Sequence, residues 1–411
     1  MMFKKGMAWM VGALVMAGTA LTSASAMAEV KLADGNWNPA VKAKLEKIIA
    51  ENAFQGKKAV FDFDNTTVCR DIGEATFAAM VEAGQLTLDK VSRDVTPSSF
   101  VLGDKTVSLD TVKDLPEFYE DFLSATKHQA GEKTPYSNSY AWVVQIMAGM
   151  TPAQILPFSE KAFGNNIALK DSGAADLKET KINGYRMPFF YPEMVDLYGA
   201  LLTNGYEVYV CSASNIWTVR WMVTENMNKL IEAKYGKGIG IAPDHVIGVN
   251  VLLKDKRDGK LYKDQLLVKS NAKYAALDRD ELSNYELTSQ IVYPITGYFG
   301  KVANIIKHVT KERPFLIGGD SNNDLPMLDR AENRLWITRL ESMGYQKGLV
   351  EQASDSLPGN WMLQPALYKK SPGFVATKAD LEKRLAPKAS ALETPTKVVS
   401  FLKENGQLAD F

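Results

Sequence analysis

Cysteine and histidine are scarce in this chain, with two and three among 411 residues. Cys69 and Cys211 are too few for a disulfide framework. An oxidising compartment would permit one bridge between them, but the sequence reads better as two small buried thiols. His128, His245 and His308 have no partner spacing that suggests a zinc-type centre, so they read as structural. Charge of one sign is also missing: 48 basic residues face 48 acidic ones. Removing Lys4 and Lys5 with a leader would leave 46 against 48, which gives no bulk electrostatic reason to bind nucleic acid or an anionic membrane. After the N-terminus no stretch approaches ~20 uninterrupted apolar residues, so no spanning helix is expected. Internal repeats and low-complexity tracts are absent.

The first 28 residues do not read as fold. Lys4 and Lys5 make a positive start, Gly6 to Leu21 is apolar and small, and Ala26-Met27-Ala28 is an A-x-A exit. That pattern predicts a signal peptide cut after Ala28 and a periplasmic or secreted protein with no stable membrane association. The remaining length exceeds one ordinary core, so a core plus an accessory domain is expected.

Most chemistry converges on Lys57 to Val68, KKAVFDFDNTTV. A short apolar run ending on turn residues predicts a buried parallel strand, and ligands in open α/β sheets gather at the carboxyl ends of such strands. Asp62 and Asp64 sit at that end, where carboxylates are costly unless paired or metal-bound. EVYVC at Glu207 to Cys211 predicts a second strand, ending on Ser212-Ala213-Ser214. PFLIG at Pro314 to Gly318 predicts a third, breaking on Gly319-Asp320-Ser321-Asn322-Asn323-Asp324, and Leu335 to Thr338 a fourth. Helices are expected over Trp37–Asn52, Tyr191–Thr203, Ile216–Ala233 and Phe299–Val309. A hairpin of His245–Leu253 with Lys260–Val268 is expected about Asp258-Gly259. After Pro358 only short helices are legible, such as Lys378–Leu385 and Thr396–Glu404. From about Gly73 to Tyr185 the pattern is helical, over Glu74–Ala83, Pro116–Ala125, Tyr136–Met150 and Pro152–Asn165. The fold class is therefore α/β: a doubly wound, mainly parallel, Rossmann-like sheet with an inserted helical cap. Its core is split between 29–72 and 186–411, with the cap at 73–185.

These strand ends suit phosphoryl transfer, which needs a nucleophile, a metal and donors on the phosphoryl oxygens. Asp62 can attack phosphorus, and Asp64 can protonate the leaving alkoxide and then deprotonate water. Asp62, the Asp64 carbonyl and Asp320 are oxygen donors that suit Mg²⁺, with Asp324 steadying the shell. Ser212, Thr66 and Lys301 would bind the phosphate. Each piece has a bland reading alone: a solvated turn, a helix cap, a surface lysine. Their order along one sheet carries the signal.

Asp62-Phe63-Asp64-Asn65-Thr66 resembles the first motif of the haloacid dehalogenase superfamily. Ser212 resembles the second, Lys301 the third, and Gly319 through Leu328 the fourth. The resemblance implies these roles for Asp62, Asp64, Ser212, Lys301, Asp320 and Asp324. Asp64, two after the nucleophile, marks phosphatases rather than dehalogenases, and the phosphoserine phosphatase branch is the most similar. The exported form, the Trp37-Asn38-Pro39 start and the long insert also resemble bacterial periplasmic phosphorylcholine phosphatases.

The implied substrate is a small phosphate monoester, phosphocholine or phosphoethanolamine. Aromatic faces and carboxylates would hold the headgroup. The candidates are Asp71, Glu74, Glu117, Tyr119, Glu120 and Trp217, with Tyr136, Tyr140 and Trp142 as further walls. A phosphoserine-like or broad-specificity phosphatase is the alternative, and a non-catalytic phosphate-ester binding protein a more distant one.

Overall fold

A computed structural model of the chain describes residues 30–129, 138–164, 181–355, 361–387, 389–408 and 411. The expected leader and Tyr136 lie outside these residues. A seven-stranded sheet organises the molecule. Its strands are β1 (Lys58–Phe61), β2 (Glu207–Asn215), β3 (Val246–Val249), β4 (Leu316–Gly319), β5 (Asn333–Arg339), β6 (Trp361–Leu367) and β7 (Gly373–Phe374). They run in the order β7-β6-β5-β4-β1-β2-β3, all parallel except β7.

β1 is central because both of its faces are apolar. Ala59 and Phe61 pack into one hydrophobic cluster with Leu45, Ile49, Met194 and Leu197. Val60, one residue out of phase, packs into the other with Ile305, Met327, Leu328 and Leu349. A strand covered by helices on both sides reads as a continuous apolar run. Helices Pro39–Glu51 and Pro192–Thr203 cover the first face; Phe299–His308, Leu325–Asp329 and Met343–Asp355 cover the second.

Three expectations need correction. Only Val246–Val249 of the first expected hairpin arm joins the main sheet. Val251–Asp255 instead lies between Leu261–Tyr262 and Tyr285–Ile291 in a separate antiparallel sheet, and Asp264–Ser270 is a helix. A buried bidentate pair of Asp264 with Arg220, at 2.9 and 2.6 Å, anchors that helix. The helix after β2 continues through a π-helical turn at Met222–Met227. β6 and β7 extend the sheet beyond the expected four strands; Pro365 inside β6 hid the strand pattern. It is tolerated because on the β7 side it uses only its carbonyl, which accepts from the Val375 N–H at 2.9 Å.

Between β1 and β2 the chain runs through helices Ile72–Glu82, Leu115–Gln129, Asn138–Gln145 and Pro152–Phe163. Phe77, Phe118, Phe122 and Trp142 pack together inside them. Two-residue strands Val68–Cys69 and Phe189–Phe190 pair antiparallel, so the chain leaves and re-enters the sheet region at one place, beside the end of β1. Among the described residues no helix is long and apolar enough to cross a membrane.

Candidate active site

The end of β1 aims its two aspartates apart. Asp62 still donates its backbone N–H to Gly318, at 3.0 Å, in line with the β1–β4 pairing. Asn65 then adopts φ 58°, a left-handed conformation that Asn tolerates, and its side chain accepts from the Arg70 N–H at 3.0 Å. The turn leaves the Asp62 carboxylate under the sheet edge and swings Asp64 toward β2. Asp64 accepts from the N–H of Ile72 at 2.8 Å, from Ser214 Oγ at 2.7 Å and from Ser212 Oγ at 3.3 Å. Gly73 makes this contact possible, because a Cβ there would stand 2.3 Å from Ser214 Oγ.

Lys301, wholly buried in the first turn of its helix, bridges two carboxylates. Its Nζ lies 2.5 Å from Asp62 Oδ1 and 2.6 Å from Asp324 Oδ1. The second oxygen of Asp324 accepts from the N–H groups of Asp320 and Ser321 and from Ser321 Oγ, at 3.0 to 3.2 Å. Asp320 accepts from Thr66 Oγ1 at 3.1 Å and faces Arg339 at 2.7 Å. Asn323 accepts the Tyr298 N–H at 2.6 Å, tying the Asp320 loop to the lysine helix.

Burial sets the electrostatics. It raises the Asp62 carboxyl to about 7; Asp324 adds to the rise and Lys301 opposes it. Burial and then Asp71 push Asp64 well above the carboxylate range, against the hydrogen bonds from its serines and Ile72. Asp320 is also pushed up by burial, with Arg339 opposing. Lys301 is desolvated too, but Asp324 and Asp62 outweigh that and hold it charged.

Carboxylate oxygens of Asp62, Asp320 and Asp324 lie within 4.8 Å of one another. This all-oxygen, buried set fits a hard divalent cation such as Mg²⁺ better than a soft one. Asp324 has both oxygens committed to Lys301 and the loop, so it fits the supporting position. The Asp64 carboxylate points away, which leaves that residue only its carbonyl for the same centre.

Above these groups opens a cavity of about 150 Å³. Its floor includes Asp62, Asp64, Ser214, Asp320 and Arg339; its wall includes Asp71, Glu74, Phe77, Tyr119, Tyr140 and Tyr345. Burial, then the neighbouring Glu74, raises Asp71 to about 8. The structure thus brings Asp71, Glu74 and Tyr119 of the headgroup candidates to the cavity.

Glu117, Glu120 and Trp217 are elsewhere. Glu117 pairs with Lys105 at 3.5 Å and accepts from the Lys113 N–H; Glu120 is exposed and accepts from Tyr185 OH at 3.0 Å. Both lie off the inner face of their helix, where Phe118 and Tyr119 are buried. Trp217 is core, donating to Tyr274 OH at 2.8 Å, and Trp142 is core, donating to Thr96 Oγ1. Thr66 and Ser212 are fully buried behind the cavity, and Ser214 is the serine that faces it. Ser214, Arg339 and Tyr345 were not singled out from sequence. The strand-end rule that selected Asp320 would have found Arg339, the last residue of β5.

No protein-family model matches the chain. It is 27% identical over 349 residues to a phosphorylcholine phosphatase of Pseudomonas aeruginosa, covering 83% of this chain and 91% of that protein. In fold it resembles a crystal structure of a functionally unknown protein from Anaerococcus prevotii, with TM-score 0.50 and 19% identity, covering 85% of this chain and 97% of that one. The chain is thus similar over most of its length to a phosphatase, and the paired aspartates at the end of β1 and the lysine bridging Asp62 to the aspartate loop stand together as the resemblance to the haloacid dehalogenase superfamily implies.

Proposed function

We propose that the protein is an exported, Mg²⁺-dependent phosphomonoesterase that hydrolyses phosphocholine, with phosphoethanolamine as a second substrate, through an aspartyl-phosphate. The observation that carries the mechanism is Asp62 at the cavity floor, paired to Lys301, beside an Asp64 held by Ser214. An Asp62 oxygen attacks phosphorus and the ester P–O bond breaks. Asp64, a carboxyl favoured in its protonated form, delivers its proton to the leaving alkoxide. Asp64 then takes a proton from the water that attacks phosphorus, releasing inorganic phosphate and restoring Asp62. Lys301 holds the nucleophile in place and offsets charge on the phosphoryl group. Asp62, Asp320 and the Asp64 carbonyl, with Asp324 behind, would hold Mg²⁺, which would supply charge neutralisation for the phosphoryl oxygens.

The headgroup reading rests on two supports. The Pseudomonas aeruginosa relative is a phosphorylcholine phosphatase, and the cavity wall combines the carboxylates of Asp71 and Glu74 with the rings of Phe77, Tyr119 and Tyr140. Aromatic faces and carboxylate oxygens together attract a quaternary ammonium. Segment 73–185 serves as the cap that supplies this wall, and residues 1–28 as the export leader.

The test is phosphate release from phosphocholine, phosphoethanolamine, phosphoserine and p-nitrophenyl phosphate, with Mg²⁺ and with chelator. We expect metal-dependent turnover and a preference for phosphocholine of about tenfold or more, about 1.4 kcal/mol in transition-state binding. Equal rates across the panel would replace the choline reading with a general scavenger.

A further inference from the structure

β5 outruns its neighbour. Gly319, the last residue of β4, pairs with Trp336, and β5 continues through Ile337 and Thr338 to Arg339. The overhang brings Arg339 to the loop that carries Asp320, with its Nη2 2.7 Å from Asp320 Oδ2. The other carboxylate oxygen, Oδ1, accepts from Thr66 Oγ1 in the turn after β1, at 3.1 Å. Asp320 is therefore held at both oxygens, from the ends of the two strands that flank β4. A carboxylate offers about four lone-pair sites, so this hold fixes its plane and still leaves oxygen free for a cation. Lys301 holds Asp62 and Asp324 in the same manner.

Arg339 is itself fixed. It is buried, and its guanidinium lies 4.4 Å from the ring centre of Tyr345 and 5.4 Å from that of Tyr368. Tyr345 belongs to the cavity wall. Tyr368 stands just past β6, with its hydroxyl 3.0 Å from Ser342 Oγ. A planar guanidinium can lie against rings and pair with a carboxylate at once, whereas a lysine ammonium supplies the charge without that geometry. Arg339 and Asp320 meet each other's charge. What the pair adds is direction: it sets where the Asp320 oxygens point.

We propose that Arg339 is a positioning residue for the metal centre, clamped by Tyr345 and Tyr368 so that it orients Asp320 toward the divalent cation. This role rests on the Mg²⁺ reading of the carboxylate cluster. Side chains that orient a metal ligand from behind contribute roughly 10- to 100-fold in metal affinity. Removing a buried ion-pair partner also lowers stability whatever the pair is for, so a lower Tm does not distinguish a positioning role from a structural one. Metal affinity does.

The experiment is a calorimetric titration of the full chain with Mg²⁺, without substrate, on wild type, Arg339→Gln, Arg339→Lys and Tyr368→Leu. Arg339→Gln should raise the Kd for Mg²⁺ about tenfold or more. Arg339→Lys restores the charge but not the stacked fork, so its Kd should fall between those of Arg339→Gln and wild type. Tyr368→Leu loosens the clamp from a residue outside the cavity lining and should raise Kd about threefold. A Kd within about twofold of wild type in a folded Arg339→Gln would make the pair purely structural and overturn the proposal. A Kd that falls would show the guanidinium competing with the cation for Asp320, and overturns it too. If Arg339→Gln fails to fold, Tyr368→Leu decides: the rise supports the role and an unchanged Kd overturns it. At saturating Mg²⁺, Arg339→Gln should keep its KM for phosphocholine within about twofold of wild type, whereas a rise of about tenfold would make Arg339 a substrate contact instead. Wild type that binds no Mg²⁺ would sink the metal reading and this role together. Wild type that binds it, with all three variants unmoved, removes the role of Arg339 alone.

Discussion

The floor and the wall of the catalytic cavity are built on opposite plans. The floor draws Asp62 and Asp320 from adjacent parallel strands β1 and β4, with Lys301 one turn into a packed helix. Its charges are tied to one another within 2.5 to 2.6 Å and shut from water. The wall draws on the helix after β1, two further helices and Tyr345 near the start of Met343–Asp355. Its members pack through rings, and its carboxylates, Asp71 and Glu74, repel each other. On the proposed function, a charged floor under an aromatic wall would separate two tasks: fixing the phosphoryl chemistry, and choosing the alcohol that leaves.

The largest expected effect breaks the floor. Asp62→Asn keeps the size of the side chain but removes the nucleophile, so kcat should fall by roughly 10³-fold or more on every ester. Circular dichroism should stay unchanged, because Lys301 retains Asp324. Residual turnover near wild type would remove Asp62 from the mechanism. A wall change, by contrast, should never give a loss that is uniform across substrates.

Next in size comes the joint between the two regions. At Gly73 a Cβ would stand 2.3 Å from Ser214 Oγ and 2.9 Å from Ser214 Cβ, so Gly73→Ala forces Ser214 off Asp64. Displacing an acid by about 1 Å costs on the order of 10²-fold, and the loss should fall on kcat with little change in KM. In a Ser214→Ala background the 2.3 Å clash with Oγ is gone and only the 2.9 Å approach to Cβ remains, so Gly73→Ala should then cost less. Equal losses in both backgrounds would mean the glycine acts some other way.

The contrast also explains what could be read from sequence. Asp62, Asp64, Asp320 and Asp324 occupy two short motifs, and a parallel strand puts its chemistry at a fixed end. Their placement follows from local pattern alone. Ser214 lies two residues from Ser212, but which of the two faces the cavity depends on how β2 ends against Gly73. The wall is assembled from positions up to 274 residues apart, Asp71 to Tyr345, and no local periodicity encodes that meeting. Glu117 and Tyr119 were equally plausible in sequence, yet only the tyrosine faces inward. β6 was hidden for another reason: Pro365 contradicts a strand unless it is known that the sheet edge there calls on its carbonyl and not on an N–H.

Within the wall, Tyr140→Leu removes a ring from the cavity while keeping apolar bulk. kcat/KM for phosphocholine should fall about tenfold, about 1.4 kcal/mol, with p-nitrophenyl phosphate changed less than about twofold. Parallel losses on both esters would show that Tyr140 shapes the floor rather than the headgroup site.

A milder change tests the wall's electrostatics without turnover. Asp71 is raised to about 8, whereas an unfolded aspartate titrates near 3.9. Between those values the native chain binds the proton that the unfolded chain has lost, so this group lowers stability as pH rises from about 4 to about 8. Asp71→Asn keeps a cap for the helix starting at Ile72 and removes that slope. In chelator, the variant should gain Tm relative to wild type on going from pH 5 to pH 8. A constant difference across that range would place Asp71 in its charged form throughout.

The smallest effect belongs outside both regions and calibrates the rest. Glu120 is exposed on the outer side of its helix and accepts one hydrogen bond, from Tyr185 OH at 3.0 Å. A solvent-exposed contact of this kind contributes on the order of 1 kcal/mol or less to stability. None of it bears on the cavity, because the same helix turns Tyr119 inward. Glu120→Gln should therefore leave kcat/KM for phosphocholine within about twofold and Tm within about 2 °C. A tenfold rise in KM for phosphocholine alone would show that the outer face of the helix reaches the substrate. The wall would then extend to residues this cavity does not touch, and its contrast with the floor would have to be drawn around a larger, closing site.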